Sequence, residues 1–229
     1  MSRRAAASVL PLVACGLAAC GLAACGRDGT TAARDPAAST VAVDASGCGL
    51  ADSRAVGVVV GDGLVATVAH AVAGQTAIAV ITPDGRRLPG EVAAIDTDLD
   101  AAIVHIGELG LPALPRRTYT DREPVELMLS HDGTVSSTPI EVRRRVTIGT
   151  SDIYRQGHHL RPGFELTAHI VPGDSGGGVV GADGSLLGVV WATSRETDDR
   201  AWAITADAYQ PLLDQVQAGT TPTAVACAT

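Results

Sequence analysis

Lysine is missing altogether: every one of the 17 basic residues in this 229-residue sequence is an arginine, against 25 acids and a formal charge of −8. An acidic chain with scattered bases and no lysine run lacks the electrostatic footprint of a nucleic-acid binder, and that class is set aside. Aromatic residues are also scarce, at 3%, so any core must be assembled from Ala, Val, Ile and Leu. Small and β-branched side chains favour strands over long helices. The six histidines show no metal-ligand spacing, and none of them follows position 169; no metal or cofactor is called for. Without its two ends the chain keeps about 170 residues, enough for one substantial core or two small barrels.

Uncharged apolar sequence of any length is confined to the N-terminus. Arg3 and Arg4 precede a stretch from Ala5 to Ala24 with no charged residue, which reads as a signal peptide over residues 1–24. Leu12-Val13-Ala14-Cys15, Leu17-Ala18-Ala19-Cys20 and Leu22-Ala23-Ala24-Cys25 each resemble a lipobox, and polar sequence follows Cys25 at once. Cys25 is therefore the expected lipidation site, giving an exported chain held at the outer face of the cytoplasmic membrane by a lipid anchor; an ordinary secretory signal and a periplasmic or secreted chain is the alternative. Cys48 and Cys227 then remain as a pair in an oxidising compartment and are expected to be bonded.

Residues 25–46 have no hydrophobic period and read as a flexible tether, with order expected from about Cys48. Beyond it, short Val/Ile/Leu runs alternate with turn signals such as Gly61-Asp62-Gly63, Pro83-Asp84-Gly85 and His131-Asp132-Gly133. Runs between about 48 and 108 make one expected barrel and runs between about 120 and 205 a second, joined by a Pro-bearing connector. Helical spacing appears only at Ala206 to Ala218, where Tyr209, Leu212, Leu213 and Val216 share a face, and a tail carrying Cys227 closes the chain. The fold class is all-β with a C-terminal helix.

One hydroxyl stands out. Ser175 lies in Gly173-Asp174-Ser175-Gly176-Gly177-Gly178, where glycine lets backbone N–H groups turn toward one point. A serine hydroxyl needs a base, and the base an orienting group, before it acts as a nucleophile. The α/β-hydrolase reading of Gly-x-Ser-x-Gly requires a histidine after the serine, and none occurs. The base must come from upstream. His70 ends the run Leu64 to Ala69, and Asp100 opens the run Ala101 to Val104, with Asp96 and Asp98 as competitors for the same role. The amides of Gly173 and Ser175 are the candidate oxyanion donors.

Val-Ala-Thr-Val-Ala-His70, Asp96-Thr-Asp-Leu-Asp100-Ala-Ala-Ile-Val and Gly173-Asp-Ser175-Gly-Gly, in this order, resemble the three signatures of the trypsin/chymotrypsin family. Asp152-Ile153-Tyr154, Leu187 to Ala192 and Ala203 to Ala206 are similar, more narrowly, to actinobacterial MarP-like periplasmic serine protease domains. The resemblance implies two six-stranded barrels, a His70–Asp100–Ser175 triad in the cleft between them, a protein or peptide substrate, and a role in cell-envelope proteolysis under stress. It also puts His169 at the base of the primary specificity pocket, with Ala192 and Thr193 on its wall. In digestive members a freshly cut N-terminus pairs with the acid beside the nucleophile, here Asp174; a tethered chain must give Asp174 another partner or leave the oxyanion loop conditional. A protease-like module that binds peptides without turnover is the competing reading.

Overall fold

The computed structural model describes residues 35–49 and 51–228. The signal segment, Cys25 and residues 26–34 of the expected tether lie outside these residues. Twelve strands form two closed six-stranded antiparallel barrels, in the orders β1-β2-β3-β6-β5-β4 and β10-β11-β12-β9-β8-β7. The first comprises β1 (Thr40–Ser46), β2 (Ser53–Gly61), β3 (Leu64–Thr67), β4 (Ala77–Ile81), β5 (Arg87–Asp96) and β6 (Ala101–His105). The second comprises β7 (Val125–His131), β8 (Thr134–Thr150), β9 (His159–Thr167), β10 (Gly178–Gly181), β11 (Leu186–Thr193) and β12 (Arg200–Thr205).

Closure of the first barrel corrects the tether. Asp35 caps a 3-10 turn at Pro36–Ser39 by accepting from the Ala37 amide, and β1 begins at Thr40, not near Cys48. Val41 and Val43 are buried in the barrel, and β1 pairs with β2 on one side and β4 on the other. A strand sealed on both flanks can be built from Thr and Ala, and that composition imitates a linker.

Other elements depart in length. β5 runs unbroken for 10 residues, β8 reaches 17 residues, and the C-terminal element opens as a 3-10 turn at Ala206–Tyr209 before helix α2 (Gln210–Gln217). The β7–β8 hairpin turns on Asp132 and Gly133, both at positive φ, the geometry that a two-residue loop needs to follow strand twist.

Small aliphatic side chains fill both barrels, with Val41, Val59, Val65 and Val104 in the first core and Phe164, Leu166, Val179 and Leu187 in the second. A third cluster spans the two halves, joining Val58, Ala66 and Ile103 to Val180, Val189, Ile204 and Tyr209. The halves are thus welded by apolar packing, and the loops at their junction inherit fixed positions. Cys48 and Cys227 are bonded at an S–S distance of 2.02 Å, so the tail is drawn back onto the first barrel. There Val225 and Ala228 pack on Ala69, Ala73 and Ile153. Among the described residues, no helix is long and apolar enough to cross a membrane.

Candidate active site

His70 sits in the single turn α1 (Ala69–Val72), which follows β3 directly. Its backbone N–H donates to Asp100 Oδ1 at 2.9 Å, and Nδ1 lies 2.8 Å from Oδ2 and 3.1 Å from Oδ1. A carboxylate can only accept, so Nδ1 carries a proton, and in the neutral ring Nε2 is the acceptor. The imidazole is half-open, at 36% exposure, while the Asp100 side chain is 5% exposed. Asp100 has φ +61, a left-handed conformation that Asp tolerates better than most residues, at the end of the turn before β6. Its competitors are occupied elsewhere: Asp96 accepts from the Asp98 and Leu99 amides, and Asp98 pairs with His159.

The Ser175 segment is brought to this pair through the backbone. Val56 N–H donates to Ser175 O at 2.7 Å, and Thr67 Oγ1 donates to Val56 O at 2.7 Å. Gly176 seats itself against both: a Cβ there would lie 1.8 Å from Val56 O and 2.9 Å from Thr67 Oγ1, and φ is +92. Ser175 therefore abuts the end of β3, three residues ahead of His70. Among the described residues the His70 ring hydrogen-bonds to Asp100, and no hydrogen bond joins it to Ser175 Oγ.

From Val171 to Gly177 the amides divide cleanly. Val171 donates to Asp174 Oδ2, Asp174 to Val171 O, Gly176 to Val190 O and Gly177 to Asp174 O. Pro172 has no N–H. Only the amides of Gly173 and Ser175 have no acceptor among the described residues, and Gly173, at φ +105, has nothing within 4 Å of its Cβ position. A cleft of about 40 Å³ beside Gly173 is lined by Arg54, Ala55, Ser130 and His131.

Asp174 has a partner that the sequence did not disclose. His131 Nε2 lies 2.8 Å from its Oδ1, with the Asp174 side chain 3% exposed and that of His131 55%. Its position after a β7 run identified His131 only as a turn residue. The contact spans 43 positions, and no local pattern announces it.

His169 is exposed and donates from Nδ1 to Asp198 O at 3.1 Å, so its ring is turned into a backbone contact. Ala192 and Thr193 lie at the end of β11. Tyr209, fully buried behind the site, donates to Thr67 O at 3.0 Å. Burial first, and then the charge of Asp100, push its phenol well above the ordinary range, so it remains a neutral donor. Among the described residues the ligand atoms of Asp98, Asp152 and His159 lie close enough to converge on a metal ion, and some of them already take part in hydrogen bonds or ion pairs. His159 faces Asp98 at 3.1 Å, and Asp152 Oδ1 accepts from the Tyr154 and Gln156 amides.

A family model, the trypsin-like peptidase domain, matches residues 55–189. Serine protease Rv3671c of Mycobacterium tuberculosis is 29% identical over 156 residues, which is 66% of this chain and 38% of that protein. Serine protease HTRA4 of Homo sapiens is 31% identical over 160 residues, 66% of this chain and 32% of that protein. The chain thus spans about a third of the length of these curated relatives. Among solved structures, the active form of the Rv3671c protease superposes with a TM-score of 0.78 at 24% identity, covering 85% of this chain and 87% of that one. The inactive form gives 0.68 at 24% identity, covering 79% and 90%.

Proposed function

Because this chain belongs to the trypsin-like peptidase family, we propose that it is a serine endopeptidase in which His70, Asp100 and Ser175 form the triad. The division of amides from Val171 to Gly177 supports the reading: among the described residues every N–H of this segment has an acceptor except those of Gly173 and of Ser175 itself. Donors fixed before substrate arrives need no reorganisation as charge develops.

The chemistry follows from the proton positions. His70 Nε2 accepts the Ser175 proton as Oγ attacks the scissile carbonyl, and Asp100 stabilises the imidazolium that forms. The carbonyl oxygen, now an oxyanion, accepts from the Gly173 and Ser175 amides. Collapse of this intermediate expels the amine, which takes the proton from Nε2 and leaves an acyl-enzyme. Water then repeats the sequence, with His70 again as base, and frees the acid product. The side chain of a substrate residue would reach His169, Ala192 and Thr193. With Nδ1 of His169 committed to Asp198 O, Nε2 is the atom left to face it.

Export by the 1–24 signal, lipid anchoring at Cys25 and a task in envelope protein processing complete the proposal, and a disulfide fits an oxidising compartment. The test is hydrolysis of a peptide library by the purified chain, compared with Ser175→Ala. The proposal expects cleavage products from the wild type alone. Peptide binding with equal affinity in both and no products from either would establish the competing reading, a binding module without turnover.

A further inference from the structure

Arg161, on β9, is the most deeply buried cation described, with 2% of its side chain exposed. Its Nε donates to Asp98 O at 2.8 Å and its Nη2 to Ser151 O at 3.0 Å, while Nη1 stands 3.8 Å from Asp100 Oδ2. The guanidinium lies over the Trp191 ring, 4.3 Å from its centroid. Burying a charge this deeply opposes folding unless the environment compensates, and buried ion pairs are poor stabilisers compared with apolar packing. Stability alone therefore gives weak grounds for an arginine here. The position of the charge gives better ones, because Arg161 belongs to the second barrel and touches the acid of the first.

We propose that Arg161 is a positioning residue for the Asp100–His70 pair, a cation supplied by the second barrel that fixes the loop bearing Asp100 and offsets its charge. Two of its donors hold backbone carbonyls on either side of the junction, at Asp98 in the loop that ends in Asp100 and at Ser151 after β8. Asp100 Oδ2 is shared between His70 Nδ1 at 2.8 Å and Arg161 Nη1 at 3.8 Å. The carboxylate is thereby held from both halves of the molecule, between a permanent cation and the imidazole of His70. The other charged or titratable groups around Arg161 are Asp96, Asp98 and Asp152, with Tyr209 behind Asp100. Burial pulls the guanidinium below its ordinary value, and the four carboxylates work against that; an arginine stays charged regardless.

The proposal rests on the triad reading, and its test separates the two. The rate of Ser175 modification by a fluorophosphonate and kcat/KM for a peptide amide are measured from pH 5 to 9 on the full chain, as wild type, Arg161→Met and Arg161→Lys. Loss of the cation favours the imidazolium, so Arg161→Met is expected to move the acid limb of both profiles upward by about one pH unit. It should also slow the plateau about 10- to 100-fold as the loop loses its anchor. Arg161→Lys keeps the charge and is expected to hold the limb within about 0.3 unit of wild type while recovering part of the rate. A Met variant with an unmoved limb overturns the proposal, since a merely structural role lowers the rate at every pH alike. If Arg161→Met does not fold, Arg161→Lys decides, and a limb displaced by a full unit in that variant refutes a role for the charge. If the wild type itself shows no Ser175-dependent reaction, the peptidase reading has failed. The His70 ring-proton NMR titration in wild type and Arg161→Met then still decides whether Arg161 acts on the pair.

Discussion

Gly176 offers the sharpest perturbation, because one methyl group there tests how closely the second barrel must approach the first. In Gly176→Ala the new Cβ would lie 1.8 Å from Val56 O, where real contacts need 3.0 Å or more, so loop and strand must part by about 1.2 Å. The residue is also at φ +92, which an alanine adopts only with strain of about 1 to 3 kcal/mol. Separation would act directly on the proposed chemistry: the Val56 N–H to Ser175 O bond is the link that sets Ser175 beside the end of β3. A displacement near 1 Å costs about 100-fold in rate, so labelling of Ser175 by a fluorophosphonate should slow by at least that factor. Circular dichroism should still report an intact β fold, with a melting temperature lowered by several degrees, since most of the interbarrel cluster is untouched. Wild-type labelling in a folded Gly176→Ala protein would refute the argument that this contact sets Ser175.

Three further outcomes follow from the same geometry. His131→Leu leaves the buried Asp174 carboxylate without its side-chain partner, and loss of a hydrogen bond to a charged group is worth about 1.5 to 3 kcal/mol. Labelling of Ser175 should fall tenfold or more while global unfolding in urea shifts less. Reduction of the Cys48–Cys227 bond, which closes a loop with a sequence separation of 179, should lower stability by about 5 kcal/mol on the chain-entropy estimate, read from urea midpoints with and without reductant. Acid should also destabilise the fold. Hydrogen bonds from Arg117 hold the carboxyls of Glu123 and Asp183 below their ordinary values, and Arg144 does the same for Glu165. Depressed values in the folded state mean stability that is present above about pH 5 and is lost as pH falls through the folded values. Melting temperature should drop between pH 5 and 3, and Arg117→Ala should flatten that slope modestly, because Asp183 is more than half exposed and its pair is screened.

Local chemistry explains which parts of this molecule could be read in advance. Hairpins marked by Gly61-Asp62-Gly63 and Asp132-Gly133 were legible because positive φ demands those residue types. The two-barrel architecture was legible because short apolar runs alternate with turn signals on either side of a Pro-bearing connector, and because the motifs at His70, Asp100 and Ser175 resemble those of the trypsin/chymotrypsin family. β1 was hidden. Its Thr-Val-Ala-Val-Asp-Ala-Ser composition carries too little hydrophobic contrast to separate it from a linker, and only its two partner strands make it a strand. Arg161 and His131 were hidden for a different reason. Each looks like a surface residue in its own neighbourhood, and each gains its meaning from a carboxylate dozens of positions away, Asp100 for one and Asp174 for the other. The carboxyl choice among Asp96, Asp98 and Asp100 was likewise a matter of turn geometry, decided by which side chain the φ of +61 at Asp100 directs at His70.

The most direct measurement is mass spectrometric mapping of a fluorophosphonate adduct on the purified chain at neutral pH. A single adduct on the peptide containing Ser175, abolished in both Ser175→Ala and His70→Ala, is the expected result. An adduct on another residue, or labelling of Ser175 that persists unchanged without His70, would contradict the assignment of this serine and this histidine as nucleophile and base.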